Sequence, residues 1–192
     1  MDTQRALDLT LLLPTVPLFA PLIAGLAAVV WLVDGGPVFF TQERVGKNGV
    51  PFRIHKLRTM TTEPDPKDRR PTNLGLWLRR RGLDELPQLY DVFCGSMSLV
   101  GPRPLLQSDI DRLSASTPGF EDRLASRPGL TGPAQVCQAQ GPAATAKLDG
   151  LYAKNRSVRI DLGILLRTAR MNLIGKSRGK WSSERAIARL TA

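Results

Sequence analysis

Asp84 and Glu85 stand side by side in a chain that offers few other groups for catalysis. Two adjacent carboxylates can hold Mg2+, which takes few protein ligands and shares its remaining positions with substrate phosphates. A carboxylate can also attack phosphorus and form an acyl phosphate. The same pair would serve equally as ordinary capping at a helix start, where the dipole favours ionised acids. His55 is the single histidine, which excludes a multi-histidine metal site within one chain. Cys94 and Cys137 lie 43 positions apart, a spacing of neither a disulfide framework nor a metal knuckle, and they point to a reducing compartment. Catalysis therefore rests on carboxylates, lysines, arginines or hydroxyls.

Arg103 is the second candidate. It sits between Pro102 and Pro104, which leave the backbone little freedom. A guanidinium on so stiff a loop suits a bidentate grip on phosphate, although a plain turn exposing a charge has the same sequence. Arg127-Pro128-Gly129-Leu130-Thr131-Gly132-Pro133 reads as another stiff loop, able to bring backbone N–H groups close to a ligand.

These residues need elements to hold them. Thr72 or Asn73 caps a helix running through Leu74, Trp77 and Leu78 into Arg79-Arg80-Arg81-Gly82, a cationic last turn followed by glycine. The next helix opens at Asp84. Its Leu86, Leu89, Tyr90 and Phe93 fall at i, i+3, i+4 and i+7 and predict one buried face, with Pro87 tolerated in the first turn. Upstream, residues 38–45 and 52–57 predict the two strands of a hairpin turning at Gly46-Lys47-Asn48-Gly49. His55 falls on the outer face of the return strand, without a role. Residues 61–71, rich in proline and charge, read as a solvated loop.

Charge is unevenly distributed along the 192 residues, whose formal net charge is +10. From Glu43 onward there are 26 basic against 14 acidic side chains, a body suited to nucleic acid, anionic lipid headgroups or phosphorylated substrates. Leu9 to Val33 forms an uncharged run of 25 residues, long enough to span a bilayer. A signal peptide would need a basic leading region and a shorter apolar stretch. Pro14, Pro17 and Pro21 interrupt helical bonding, so freed carbonyls need donors such as Thr10 or Thr15. Two shapes fit: a kinked spanning helix, or one that bends near Pro14 and returns to the same face. The excess of cations after the segment leans toward the second.

Several motifs occur in a telling order: Gly36-Pro37-Val38-Phe39-Phe40, Lys56-Leu57-Arg58-Thr59-Met60, Leu83 to Leu89 around Asp84-Glu85, Met97 to Pro104, Arg127 to Gly132, and Ala134-Gln135-Val136. With Arg5, Asp8 and the apolar segment, the chain resembles the bacterial sugar transferases known as monotopic polyprenol-phosphate phosphoglycosyl transferases. The resemblance covers about residues 5 to 170. It implies an α+β, mostly helical fold: a re-entrant membrane helix over 1–35, broken at Pro14, and a cytosolic-face catalytic domain over 36–192 with a β-hairpin and amphipathic interfacial helices. It implies Asp84 as the nucleophile toward a UDP-sugar, with release of UMP and transfer of the phosphosugar to undecaprenyl phosphate. Glu85 would help Asp84 hold Mg2+. Arg103 matches the family's phosphate-binding arginine; Arg79, Lys56 and Arg127 occupy matching basic positions on the donor side. The implied setting is the cytoplasmic face of a bacterial inner membrane, with anionic lipids as partners, and the product would initiate a surface glycan.

The chain departs from that pattern at Ser96, where relatives carry Asp, at Pro133, where they carry Trp, and at Cys137-Gln138-Ala139. Sugar preference is therefore not inherited. Asp149, Tyr152, Ser157 and Asp161 resemble a family pattern that precedes a helix with Leu162, Leu165, Leu166, Ala169 and Leu173 on its apolar side. Arg167, Arg170, Lys176, Arg178 and Lys180 surround that helix, and Trp181 could anchor at the interface, so it could lie on an anionic leaflet. A nucleic-acid-binding reading accounts for the charge but not for the acidic pair, and aromatic RNA-binding motifs are absent. A non-catalytic relative that scaffolds lipid-linked intermediates finds support only in Ser96, Pro133 and Cys137.

Overall fold

The computed structural model describes residues 2–174. The expectations placed on Leu173's side chain and on Lys176, Arg178, Lys180 and Trp181 lie outside the described residues. The architecture is mostly helical, with one antiparallel and one parallel two-stranded sheet. The apolar segment folds as α1 (Thr3–Leu12) and α2 (Val16–Asp34), joined by a 3-10 turn at Leu13–Thr15. Helical bonding changes at Pro14, whose ring nitrogen carries no proton. Thr15 Oγ1 donates to the Leu12 carbonyl at 2.7 Å, the side-chain repair such a break needs. Thr3–Asp34 spans 32 residues and is long and apolar enough to cross a membrane by length and composition.

One face of α1 docks on the body. Gln4, Asp8 and Leu12, at i, i+4 and i+8, are buried there. Leu12 packs with Ile54, Val92 and Met97. Gln4 Nε2 donates to the Val100 carbonyl at 2.9 Å, and Asp8 Oδ1 accepts from the Leu99 N–H and the Ser98 hydroxyl at 3.0 Å each. Arg5 donates to the carbonyls of Val92 and Phe93.

The hairpin forms as read, β1 (Phe39–Val45) against β2 (Pro51–Leu57), with Phe40 opposite Lys56 and Arg44 opposite Phe52. Asn48, at φ 56°, takes the left-handed turn position that asparagine tolerates. α3 (Asn73–Arg81) is capped by Thr72, whose Oγ1 accepts from Gly75 N–H at 2.8 Å and donates to Asp34 Oδ2 at 2.8 Å. Gly82, at φ 67°, ends the helix as expected. Trp77, expected on the helix's apolar side, is exposed under the Arg81 guanidinium, 4.5 Å from the ring centroid, while Gly75 and Leu78 face inward.

Two expectations fail at the next element. The helix does not open at Asp84; Leu83–Glu85 is a separate 3-10 turn, and α4 runs only from Gln88 to Cys94. Pro87 has no N–H for the Leu83 carbonyl, so Leu86 N–H bonds back to Leu83 in the tighter three-residue pattern instead. The buried face also differs. Gln88, Asp91 and Val92 turn inward, whereas Tyr90 and Phe93 are exposed.

The two stiff loops are partners. β3 (Ser98–Val100) and β4 (Gly129–Thr131) pair in parallel, and the chain around them crosses at glycines. A Cβ on Gly101 would lie 2.1 Å from the Arg127 carbonyl oxygen, and one on Gly132 would lie 2.0 Å from that of Gly101. α5 (Gln107–Ser116), a 3-10 helix at Phe120–Ala125, α6 (Pro133–Val136), α7 (Gly141–Asn155) and α8 (Val158–Ile174) close the body. The Tyr152 hydroxyl lies 2.6 Å from Asp161 Oδ1 and 3.1 Å from the Val100 carbonyl, so the motif linking these residues joins α7, α8 and β3. On α8, Asp161 and Ile164 are buried. Leu162 and Leu166, read on the helix's apolar side, are exposed together with Val158 at i, i+4 and i+8, so that stripe does not pack on the body.

Gly101→Ala should destabilise the protein by about 3 kcal/mol or more, because the added carbon meets backbone that cannot move aside. Gly163→Ala, in α8 with open space around it, should be neutral or slightly stabilising. Thermal unfolding in detergent or bilayer discs separates the two, and equal melting shifts would contradict this account of the crossing.

Candidate active site

A cavity of about 870 Å³ opens between the hairpin, α3 and the 3-10 turn at Leu83–Glu85. Asp84, Glu85, Lys56, Arg79 and Arg103 all line it. Arg127 does not. Its guanidinium lies at the start of α1, 3.1 Å from Asp2 Oδ2, because the β3–β4 pairing turns this loop toward the N-terminal helix. Pro14 lies in the membrane segment, apart from the cavity.

Glu85 is the organising anion. Its Oε1 accepts from Lys56 Nζ at 2.6 Å and from Arg103 Nη2 at 2.8 Å. Burial alone would raise the Glu85 carboxyl, but the charges of Arg103 and Lys56 outweigh it and hold the pKa below the usual carboxylate value. Asp84, 7% exposed, behaves oppositely. Burial first, and the Glu85 charge second, raise its carboxyl, while Lys56 and Arg79 pull it down through charge alone. Two adjacent acids are thus driven apart, one fixed as a counter-ion and one left with a more basic carboxylate facing the cavity.

The elements explain this placement. Gly82 turns the chain left-handed out of α3, so the short Leu83–Glu85 turn presents its acids to the same space as the cationic end of that helix. Arg79 is held by Thr59, whose hydroxyl accepts from Nε at 2.7 Å. Arg58, buried, caps the membrane helix by donating to the carbonyls of Asp34 and Gly35 at 2.7 and 2.6 Å, and it also lines the cavity.

Sequence reasoning missed several lining residues. Gln42 and Arg44 share with Lys56 one face of the hairpin, which the turn at Gly46 to Gly49 and strand alternation could have shown. Arg44 is pushed below the usual arginine range by burial first and by the like charge of Arg103 next. Arg69, Thr61 and Thr62 line the cavity from the segment read as a solvated loop. That segment folds back on itself through the Met60–Pro71 pairing and a Thr61 N–H bond to the Arg70 carbonyl at 2.8 Å. The cavity thus carries six cationic side chains (Arg44, Lys56, Arg58, Arg69, Arg79 and Arg103) against two carboxylates. Such a surplus in a partly enclosed space suits a ligand with several negative charges, a phosphate or diphosphate above all.

His55 also departs from expectation. Its Nδ1 lies 2.6 Å from Asp91 Oδ1 and its backbone N–H donates to Asp91 Oδ2 at 3.0 Å, so it fastens β2 to α4 rather than standing idle on an outer face.

Residues 2–175 match the family model described as bacterial sugar transferase. The chain belongs to that family. It is 36% identical over 187 residues to a UDP-N-acetylgalactosamine-undecaprenyl-phosphate N-acetylgalactosaminephosphotransferase of Aeromonas hydrophila, covering 90% of this chain and 44% of that protein. It is 41% identical over 180 residues to a UDP-glucose:undecaprenyl-phosphate glucose-1-phosphate transferase of Caulobacter vibrioides, covering 86% of this chain and 67% of the other. An uncharacterized sugar transferase of Bacillus subtilis is 40% identical, with 92% and 90% of the two chains covered. The chain thus spans less than half of the first relative and most of the third.

Any reaction that needs ionised Asp84 should lose rate on its acid limb at a higher pH than an unperturbed aspartate would give. Glu85→Gln removes a negative neighbour, so that limb should move to lower pH even as the maximal rate falls. A pH–rate profile in which the variant's limb stays put or moves upward would refute the coupling.

Proposed function

We propose that this protein transfers a phosphosugar from a UDP-sugar to undecaprenyl phosphate, with Asp84 as a covalent nucleophile. The observation that carries the reading is the pairing of a buried, more basic Asp84 with a counter-ion, Glu85, among six cations in one cavity. The donor's diphosphate would sit among Arg103, Lys56, Arg79 and Arg44. An Asp84 oxygen would attack the sugar-bearing phosphorus, and the bond from that phosphorus to the bridging oxygen would break, so that UMP leaves with the electron pair. A phosphate oxygen of undecaprenyl phosphate would then attack the same phosphorus. The bond to Asp84 would break, returning its carboxylate and leaving a lipid diphosphate sugar that starts a surface glycan.

Asp84 and Glu85 also fit Mg2+. Both line the cavity and present hard oxygen donors, the kind Mg2+ takes from one or two carboxylates beside substrate phosphates. A bound Mg2+ would neutralise donor phosphate charge, with substrate oxygens completing its shell. Arg103 and Lys56 would grip phosphate, and Arg79 would favour the ionised form of Asp84.

The acceptor is a lipid, and membrane association follows from the apolar helix. A re-entrant form is supported by the docking of both ends of the segment on one body, α1 through Gln4, Asp8 and Leu12, and α2 through Asp34 to Arg58 and Thr72. Exposed Tyr90, Phe93, Val158, Leu162 and Leu166 suit burial at a bilayer interface, where neighbouring cations would meet anionic lipids. The catalytic body would face the cytoplasm at the inner membrane, the side where UDP-sugars are made and where cationic segments are retained.

The named activities of two relatives differ in sugar, glucose in one and N-acetylgalactosamine in the other. The test is therefore a panel of UDP-sugars with undecaprenyl phosphate, Mg2+ and bilayer-embedded protein, read as UMP release. One donor should release UMP, and Asp84→Asn should lower that rate by about 10³-fold or more. UMP release that survives the substitution would remove Asp84 from the chemistry.

A further inference from the structure

We propose that Arg123, held by Asp149, is a positioning residue that fixes the backbone of Arg103 and thereby aims its guanidinium into the cavity. Arg123 lies in the 3-10 helix Phe120–Ala125 and Asp149 in α7; both are buried. Arg123 Nη2 is 3.1 Å from Asp149 Oδ2 and donates to the Arg103 carbonyl at 2.7 Å. The guanidinium also stacks on the Phe120 ring, 4.9 Å from its centroid. Neither partner lines the cavity.

The geometry of the loop makes that one hydrogen bond consequential. Pro102 and Pro104 have fixed φ angles and no N–H, so the main freedom left to Arg103 is rotation of the peptide that carries its carbonyl. Three carbonyls of the loop are claimed: Pro102 by Gly129 N–H at 2.9 Å, Leu105 by Val45 N–H at 2.9 Å, and Arg103 by Arg123. The first two bonds come from backbone. Only the third comes from a side chain, and it sets the orientation of the residue that must grip phosphate. The Arg103 side chain is half exposed and is fixed at its tip by the 2.8 Å bond to Glu85, so packing along its length does little to aim it.

The chemistry of the pair is costly for a merely structural contact. Burial raises Asp149 to about 6, against the opposing charge of Arg123, and burial likewise lowers Arg123. Two well-packed apolar side chains would often stabilise a fold as well or better. They would leave the Arg103 carbonyl without its donor. The ion pair supplies a buried donor, with the Asp149 carboxylate 3.1 Å away as the counter-charge that keeps the guanidinium in place.

The inference rests on Arg103 as a phosphate-binding residue, and the closing experiment is independent of catalysis. Binding of inorganic pyrophosphate to the full chain in bilayer discs is measured by calorimetry for wild type, Arg103→Ala, Arg123→Met and the double variant. Arg123→Met should weaken binding about tenfold, and the same change made in the Arg103→Ala background should add less than about twofold, because its effect passes through Arg103. Asp149→Asn, which keeps the shape, should show the same non-additivity at smaller size and covers the case in which Arg123→Met fails to fold. Arg123→Lys should restore part of the affinity. Losses that multiply fully in the double variant, or unchanged affinity in both Arg123→Met and Asp149→Asn, would overturn the proposal. Wild-type protein that releases no UMP from any donor of the panel would instead refute the transferase reading and leave this cycle standing.

Discussion

Three residues, Ser98 to Val100, hold together parts of the chain that are far apart in sequence. The Ser98 N–H donates to Pro128, its hydroxyl and the Leu99 N–H meet Asp8, and the Val100 carbonyl receives Gln4 and faces Tyr152. The membrane segment, the second sheet and the last two helices therefore converge on one short strand. Buried backbone groups must be paired, and here each pairing recruits a different element. The glycines at 101, 129 and 132 follow from the same crowding, since the crossing leaves no room for a side chain. Arg103 follows three residues after Val100, so its proline-bounded loop inherits the rigidity of the junction.

The cavity works by a second constraint, the surplus of positive charge. Lys56 and Arg103 share one oxygen of Glu85, which keeps them oriented toward the cavity before any ligand binds. An incoming diphosphate meets guanidinium and ammonium groups already pointing inward, and the ordering cost is met within the fold rather than on binding. The negative neighbour that organises the cations also raises Asp84, so one residue shapes both the cationic wall and the acid beside it.

The parts legible in the sequence are those set by local bonding. The hairpin follows from alternation and a Gly-Lys-Asn-Gly turn, α3 from a threonine cap and a terminal glycine, and the helix interruption from Pro14. Misreadings came where tertiary pairing decides. Tyr90 and Phe93 fit an inward stripe by spacing, yet Asp91 turns inward because His55 meets it from a strand 36 residues earlier. Arg127 resembled a cavity residue from its motif, but a strand of three residues is too short to announce itself, and its pairing carries Arg127 to Asp2. The segment at 61–71 looked solvated because nothing local shows that Arg69 comes back to the cavity. Asp84 and Glu85 do face one cavity together, although their surroundings are a 3-10 turn ringed by cations and not the start of a helix.

Arg58 joins two things usually described separately. A single guanidinium closes the end of α2 and forms part of the cavity wall, and α2 cannot slide or rotate against that wall without breaking bonds to Asp34 and Gly35. The helix is thus a fixed ruler. Wherever it comes to rest in a bilayer, the height of Asp84 above the lipid is set by the protein's own geometry, and a chemical step between a water-borne and a lipid-borne substrate needs such a constant height.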